Sequence, residues 1–173
     1  MEESHQAGSS FVQIIVLMGV SGSGKTTIGR LLAKDLGWPF FEGDEFHPAA
    51  NIEKVSRGIP LTDEDRGPWV AALKQLIRSL NLTSQCAVVT CSALKQAYRD
   101  YLKENSSRIG FVYLKGSESL IRSRMLLRDA HFMPEDLLVS QLNVLEEPED
   151  ALTLDLALSP TSLITQIKQE LRL

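Results

Sequence analysis

The chain of 173 residues is poor in cysteine, aromatic residues, positive charge and long hydrophobic runs. Its two cysteines, Cys86 and Cys91, fall on one expected strand. Five residues at about 3.3 Å each would hold them roughly 16 Å apart, beyond disulfide reach. Reduced thiols of a cytoplasmic protein are therefore expected, and no Cys-x-x-Cys or His/Cys cluster suggests structural zinc. The longest apolar run, Ile14 to Met18, is far shorter than the roughly 20 residues a membrane helix needs. The start, Met1-Glu2-Glu3-Ser4-His5, lacks the basic stretch of a secretory signal and the Arg-rich bias of a transit peptide. Lys and Arg number 18 against 22 Asp and Glu, a net charge of −4, so no membrane or general nucleic-acid partner is expected. Any polyanion must be gripped locally.

What is present is ordinary globular material, 43% hydrophobic and 23% charged, of a length that suits one domain. A polar lead over residues 1–10, expected to be flexible, precedes a domain over 11–173. Val12 to Met18 is a β-branched run that reads as a buried strand. Lys25 to Leu36 follows as a helix stopped at Gly37. Further strands are expected at 39–42, 86–91, 109–114 and 152–156, with helices at 51–57, 68–80, 93–104, 118–128, 135–145 and from Pro160. This alternation predicts an α/β fold with a five-stranded, mostly parallel sheet and helices on both faces. Ligands bind such sheets at the carboxyl ends of the strands, which makes residues just after each strand the functional shortlist.

The first strand runs into Gly19-Val20-Ser21-Gly22-Ser23-Gly24-Lys25-Thr26, a complete G-x-x-x-x-G-K-[ST] phosphate loop in its required strand–turn–helix setting. Glycines allow close wrapping, and successive N–H groups with the helix N-terminus form an anion nest. Lys25 is expected to reach the β- and γ-phosphates of ATP, and the Thr26 hydroxyl to ligate Mg²⁺. The third strand ends without the Asp that many such NTPases use for the metal, and no Asn-Lys-x-Asp guanine reader occurs. The missing carboxylate is sought in Glu42-Gly43-Asp44, after the second strand, where Glu42 or Asp44 could ligate Mg²⁺ through water or accept a hydroxyl proton. Either could instead cap a turn or helix.

Several blocks then carry a family resemblance. Gly43-Asp44-Glu45-Phe46-His47-Pro48, Asn51-Ile52-Glu53-Lys54 and the stretch from Gly58 to Trp69 closely resemble gluconokinases of the phosphate-loop type. So do Cys91-Ser92-Ala93-Leu94-Lys95, Tyr98-Arg99-Asp100, Tyr113-Leu114-Lys115-Gly116 and Arg128-Asp129-Ala130-His131-Phe132-Met133. The resemblance spans about Ile14 to Pro148. It implies a single-domain P-loop kinase fold akin to shikimate and adenylate kinases, with a mobile lid at about 123–138. It further implies ATP-dependent phosphorylation of D-gluconate to 6-phospho-D-gluconate, feeding the pentose phosphate pathway, by a homodimer. Shikimate kinases share the loop and the acids after the second strand, but carry three glycines where Cys91-Ser92-Ala93 stands here. Departures from the gluconokinase pattern are Glu42, Val55, Ala130, and Leu142-Asn143 after Ser140-Gln141, where Phe and Glu are common.

A hydroxyl-rich monocarboxylate needs a cation and several hydrogen-bonding side chains. Arg66 can match a carboxylate bidentately, or pair with Asp63 or Asp65 instead. His47 can bond a substrate hydroxyl or serve as a core histidine. Ser92 and Lys95 open toward the same cleft, while Tyr98 and Arg99 line the pocket or pack against it; Trp69 reads as core. Asp44 is assigned to orient and deprotonate the attacking hydroxyl, with Lys25 and the metal stabilising the phosphoryl oxygens. Arg124 and Arg128, four apart on one helix face, are candidates for ATP, with Arg128 preferred for closing over the phosphates. His131 completes the expected acid-binding set.

Overall fold

A computed structural model describes residues 11–127 and 135–173, so the polar lead lies outside the described residues. The strands are β1 Ile14–Met18, β2 Phe40–Phe41, β3 Ala87–Thr90, β4 Ile109–Lys115 and β5 Leu152–Asp155. They form one sheet in the order β2-β3-β1-β4-β5, and every neighbouring pair is parallel, so "mostly parallel" sharpens to wholly parallel. The helices are α1 Lys25–Leu36, α2 Ala49–Ser56, α3 Asp63–Leu82, α4 Gln96–Lys103, α5 Glu118–Leu126, α6 Glu135–Val144 and α7 Pro160–Glu170.

Strand alternation sorts β1 between two cores. Ile14, Val16 and Met18 pack with Trp69, Leu73 and Ile77 of α3 on one face. Ile15 and Leu17 pack with Ile28 and Leu32 of α1 and Leu163 and Ile167 of α7 on the other. Burial on both faces explains why β1 reads as an unbroken apolar run rather than an alternating one. The central strand therefore points its carboxyl end, and the loop that follows, into the middle of the sheet's ligand-binding edge.

The largest difference from the sequence reading lies at α3, which starts five residues before Pro68. Thr62 caps it with a full capping box: its Oγ1 accepts from Asp65 N–H at 3.2 Å, and Asp65 Oδ2 accepts from Thr62 N–H at 3.0 Å. That reciprocal bonding overrides the breaker signal of Gly67-Pro68. As a result Asp63 and Arg66 sit on one helical turn rather than in a loop. A second feature hidden from the sequence is the one-turn 3₁₀ helix Gly43–Phe46 after β2. Gly43 crosses β3 so closely that a Cβ there would lie 1.9 Å from the Thr90 carbonyl oxygen, so only glycine fits. Cys86 and Cys91 bracket β3 and are both free, and burial pushes the Cys91 thiol up to about 12.

Candidate active site

The nucleotide side of the cleft is the loop after β1. Lys25 Nζ donates to the carbonyls of Gly19 at 2.9 Å and Val20 at 3.1 Å, and Gly19 N–H donates to Ser92 O at 3.3 Å, linking the loop to the segment after β3. The Ser23 side chain is fully buried inside the loop, and its Oγ has no hydrogen-bond partner among the described residues. Thr26, the metal candidate, is exposed at the first turn of α1.

Next to the loop, the ends of β2 and β3 are joined through Thr90. Its Oγ1 accepts from Gly43 N–H at 2.9 Å and donates to Glu42 Oε1. Glu42 Oε2 is buried and lacks a partner among the described residues. A buried carboxylate oxygen left unbonded is costly unless a cation or ordered water satisfies it. Trp69 fixes the other side of this turn by donating from Nε1 to Gly43 O at 2.7 Å. It also stacks on His47, ring centroids 4.2 Å apart at 13°, so it is core and scaffold together.

His47 is half-buried, and burial holds its imidazole below the ordinary value of 6.5, partly offset by the Asp44 charge. Asn51 Nδ2 lies 3.2 Å from His47 Nδ1 and donates to Asp65 O at 2.7 Å. Since that nitrogen can only donate, His47 Nδ1 accepts, and the neutral ring turns Nε2–H away from Asn51.

Beyond His47 lies a polar corner centred on Asp63. Its carboxylate accepts from Lys95 Nζ at 2.6 Å and from the Tyr98 hydroxyl, and Arg66 Nη1 stands 3.7 Å away. These donors hold Asp63 below the usual carboxylate range, while burial and the Asp63 charge push the Tyr98 phenol up to about 12. Arg66 therefore takes the ion-pair alternative here, paired with Asp63 beside two further groups, Lys95 and Tyr98, that donate to the same carboxylate. Asp63 had no functional reading of its own, and neither did Thr90 or Asn51. The capping box at Thr62 was the signal that could have put Asp63 on the same helical turn as Arg66.

One expected residue is placed elsewhere. Arg99 is buried, and its guanidinium donates to the carbonyls of Ala93, Leu94 and Glu146 at 2.8, 3.2 and 2.9 Å and to Gln96 Oε1 at 2.6 Å. With its donors directed at these groups it is a framework residue, a correction to its expected place in the acid pocket. Arg124 donates to Leu156 O at 2.6 Å, beside the loop after β5. Arg128 and His131, and the middle of the expected lid, lie outside the described residues; 123–126 belong to α5 and 135–138 to α6.

A parallel sheet with a phosphate loop on its central strand, and a polar acceptor corner after β2 and β3, defines a phosphate-loop small-molecule kinase. A family model described as shikimate kinase matches residues 21–152, and the chain belongs to that family. Within it the relatives are gluconokinases: the one from Gluconobacter oxydans is 49% identical over 80% of this chain and 78% of its own. A probable gluconokinase of Xenopus tropicalis is 42% identical over 91% and 92%. The crystal structure of a gluconokinase from Sinorhizobium meliloti superposes with a TM-score of 0.85 at 44% identity, covering 94% of this chain and 93% of that one. This chain is a member of the gluconokinase family.

Proposed function

We propose that the chain transfers the γ-phosphoryl group of ATP to the 6-hydroxyl of D-gluconate, giving 6-phospho-D-gluconate. The observation that carries this reading is the corner formed by Arg66, Lys95 and Tyr98, which already surrounds a carboxylate, that of Asp63. The same groups suit the carboxylate end of a sugar acid. Asp44, on the turn between that corner and the phosphate loop, then meets the hydroxyl end, orienting it and taking its proton. His47 Nε2–H and Ser92 supply hydrogen bonds to the hydroxyls between. Lys25 neutralises charge on the transferring group. The roles of Arg128 over the phosphates and His131 beside the acid rest on the sequence, as does residence in the cytoplasm, and a homodimer rests on the family resemblance. Among the described residues, no helix is long and apolar enough to cross a membrane.

Magnesium fits the residues present. Among the described residues no three His, Cys, Asp or Glu side chains cluster as a protein-only cage, which suits an ion held mainly by phosphates and water. Glu42, with its buried unbonded Oε2, and the Thr26 hydroxyl would hold it, with Asp44 two positions along from Glu42. When bound, the ion supplies charge neutralisation at the phosphate oxygens.

ADP release with ATP and Mg²⁺, measured against a panel of sugar acids and shikimate, tests the assignment. Gluconate-dependent turnover is expected. Strong turnover on another acid with none on gluconate overturns it.

A further inference from the structure

The tip of the phosphate loop is held by a side chain 120 positions along the chain. Ser21 N–H donates to Gln141 Oε1 at 2.7 Å, and Gln141 Nε2 donates to Ser21 Oγ at 3.0 Å. A carboxamide is a neutral side chain with an acceptor and a donor in one plane, so one group fixes both the peptide and the side chain of Ser21. Leu138 and Leu142, on the same helix α6, are packed into the core beneath β1 and α1, which fixes where Gln141 reaches.

The rest of the loop is bonded differently. Ser23 N–H donates to Val20 O at 3.2 Å, and Lys25 holds the carbonyls of Gly19 and Val20. Gly22, beside Ser21, lies so close under α5 that a Cβ would fall 2.6 Å from Met125 Cγ. The dipeptide Ser21-Gly22 is thereby gripped by α6 from one side and α5 from the other. A phosphate cradle works by main-chain N–H groups aimed before the ligand arrives, and a tip peptide free to turn would misaim those that follow.

We propose that Gln141 is a positioning residue for the nucleotide: it orients the Ser21 peptide so that the following N–H groups converge on the phosphates. It acts on ATP and ADP rather than on the acid. The inference takes from the proposed activity only the acceptor used in the assay. Gln141→Met keeps the length and packing of the side chain and removes both hydrogen bonds.

In that variant KM for ATP and the ADP dissociation constant by titration are expected to rise about tenfold, the scale two hydrogen bonds set. KM for gluconate stays within twofold and the melting temperature within a few degrees. Unchanged or lowered nucleotide constants, or an equal rise in both KM values, overturn the proposal. If Gln141→Met does not fold, Ser21→Ala removes only the side-chain arm and is expected to weaken ADP about threefold; an unchanged constant there also overturns it. Failure of the wild-type enzyme to turn over gluconate sinks the activity reading instead, and the ADP titration still decides this one.

Discussion

The nucleotide half of the cleft draws on eight consecutive residues, Gly19 to Thr26, and works largely through backbone. The proposed acid half draws on side chains from the turn after β2, the first turns of α3, and the segment from the end of β3 into α4. Of its members, His47, Asp63, Arg66, Lys95 and Tyr98 are each held by another side chain rather than by a continuous loop. A local motif keeps its geometry because its neighbours in sequence are its neighbours in space. An assembled one depends on scaffolding such as Thr90, Trp69 and Asn51, none of which is chemically distinctive. The contrast predicts that single substitutions separate cleanly into those that affect the phosphoryl group and those that affect the acid.

The largest effects belong where the halves meet. Lys25→Ala and Asp44→Asn are each expected to lower kcat by about 10²- to 10⁴-fold, the range for removing a charge-stabilising group or a general base. Lys25→Ala also weakens ATP, whereas Asp44→Asn leaves ADP binding intact. Steady-state kinetics with ADP titration separates the two. Equal losses of ADP binding would break the division.

Two arginines sharpen the acid half next. Arg66→Ala is expected to raise KM for gluconate about 10- to 100-fold, the scale of a charged hydrogen-bond pair, with KM for ATP unchanged. Arg99→Ala strips three main-chain carbonyls of a donor, so several kcal/mol of stability should be lost at about 1–3 kcal/mol per unsatisfied group. Its gluconate KM, measured on whatever protein folds, should move little. Urea unfolding and kinetics on both variants check the pair, and a reversed pattern would return Arg99 to the pocket.

The same contrast explains what the sequence made legible. The alternation of strands and helices and the phosphate loop are periodic or contiguous signals, and both appear in the structure. Pro68 misled because its ordinary meaning is local, while the helix start was decided by Thr62 and Asp65. Arg99 misled because a basic residue one turn past a functional strand looks alike whether it faces a ligand or three carbonyls. Gln141 was beyond reach for the same reason, its partner Ser21 lying 120 positions away, and so was the bond of Asp63 to Lys95, 32 positions along, although its pairing with Arg66 was local.

The smallest predicted effect lies in the pH dependence of stability, and it rests on His47. Burial holds its folded pKa below 6.5, and Asn51 presents a donor to Nδ1, which a protonated ring could not accept. Between the folded value and 6.5 the unfolded chain binds more protons than the folded one, so stability rises with pH there. The contribution is complete above 6.5 and is lost as pH falls through the folded value. Asp63, Asp65 and Asp150 are also held below their ordinary value of 3.8, so their losses begin only near and below that pH. Urea unfolding at pH 7.5 and 5.5 therefore isolates histidine, and comparison with His47→Gln cancels His5 and His131. Wild type is expected to lose more stability than the variant over that interval. Equal losses would mean that the ring is not held neutral, and the Nε2–H assigned to a substrate hydroxyl would lose its basis.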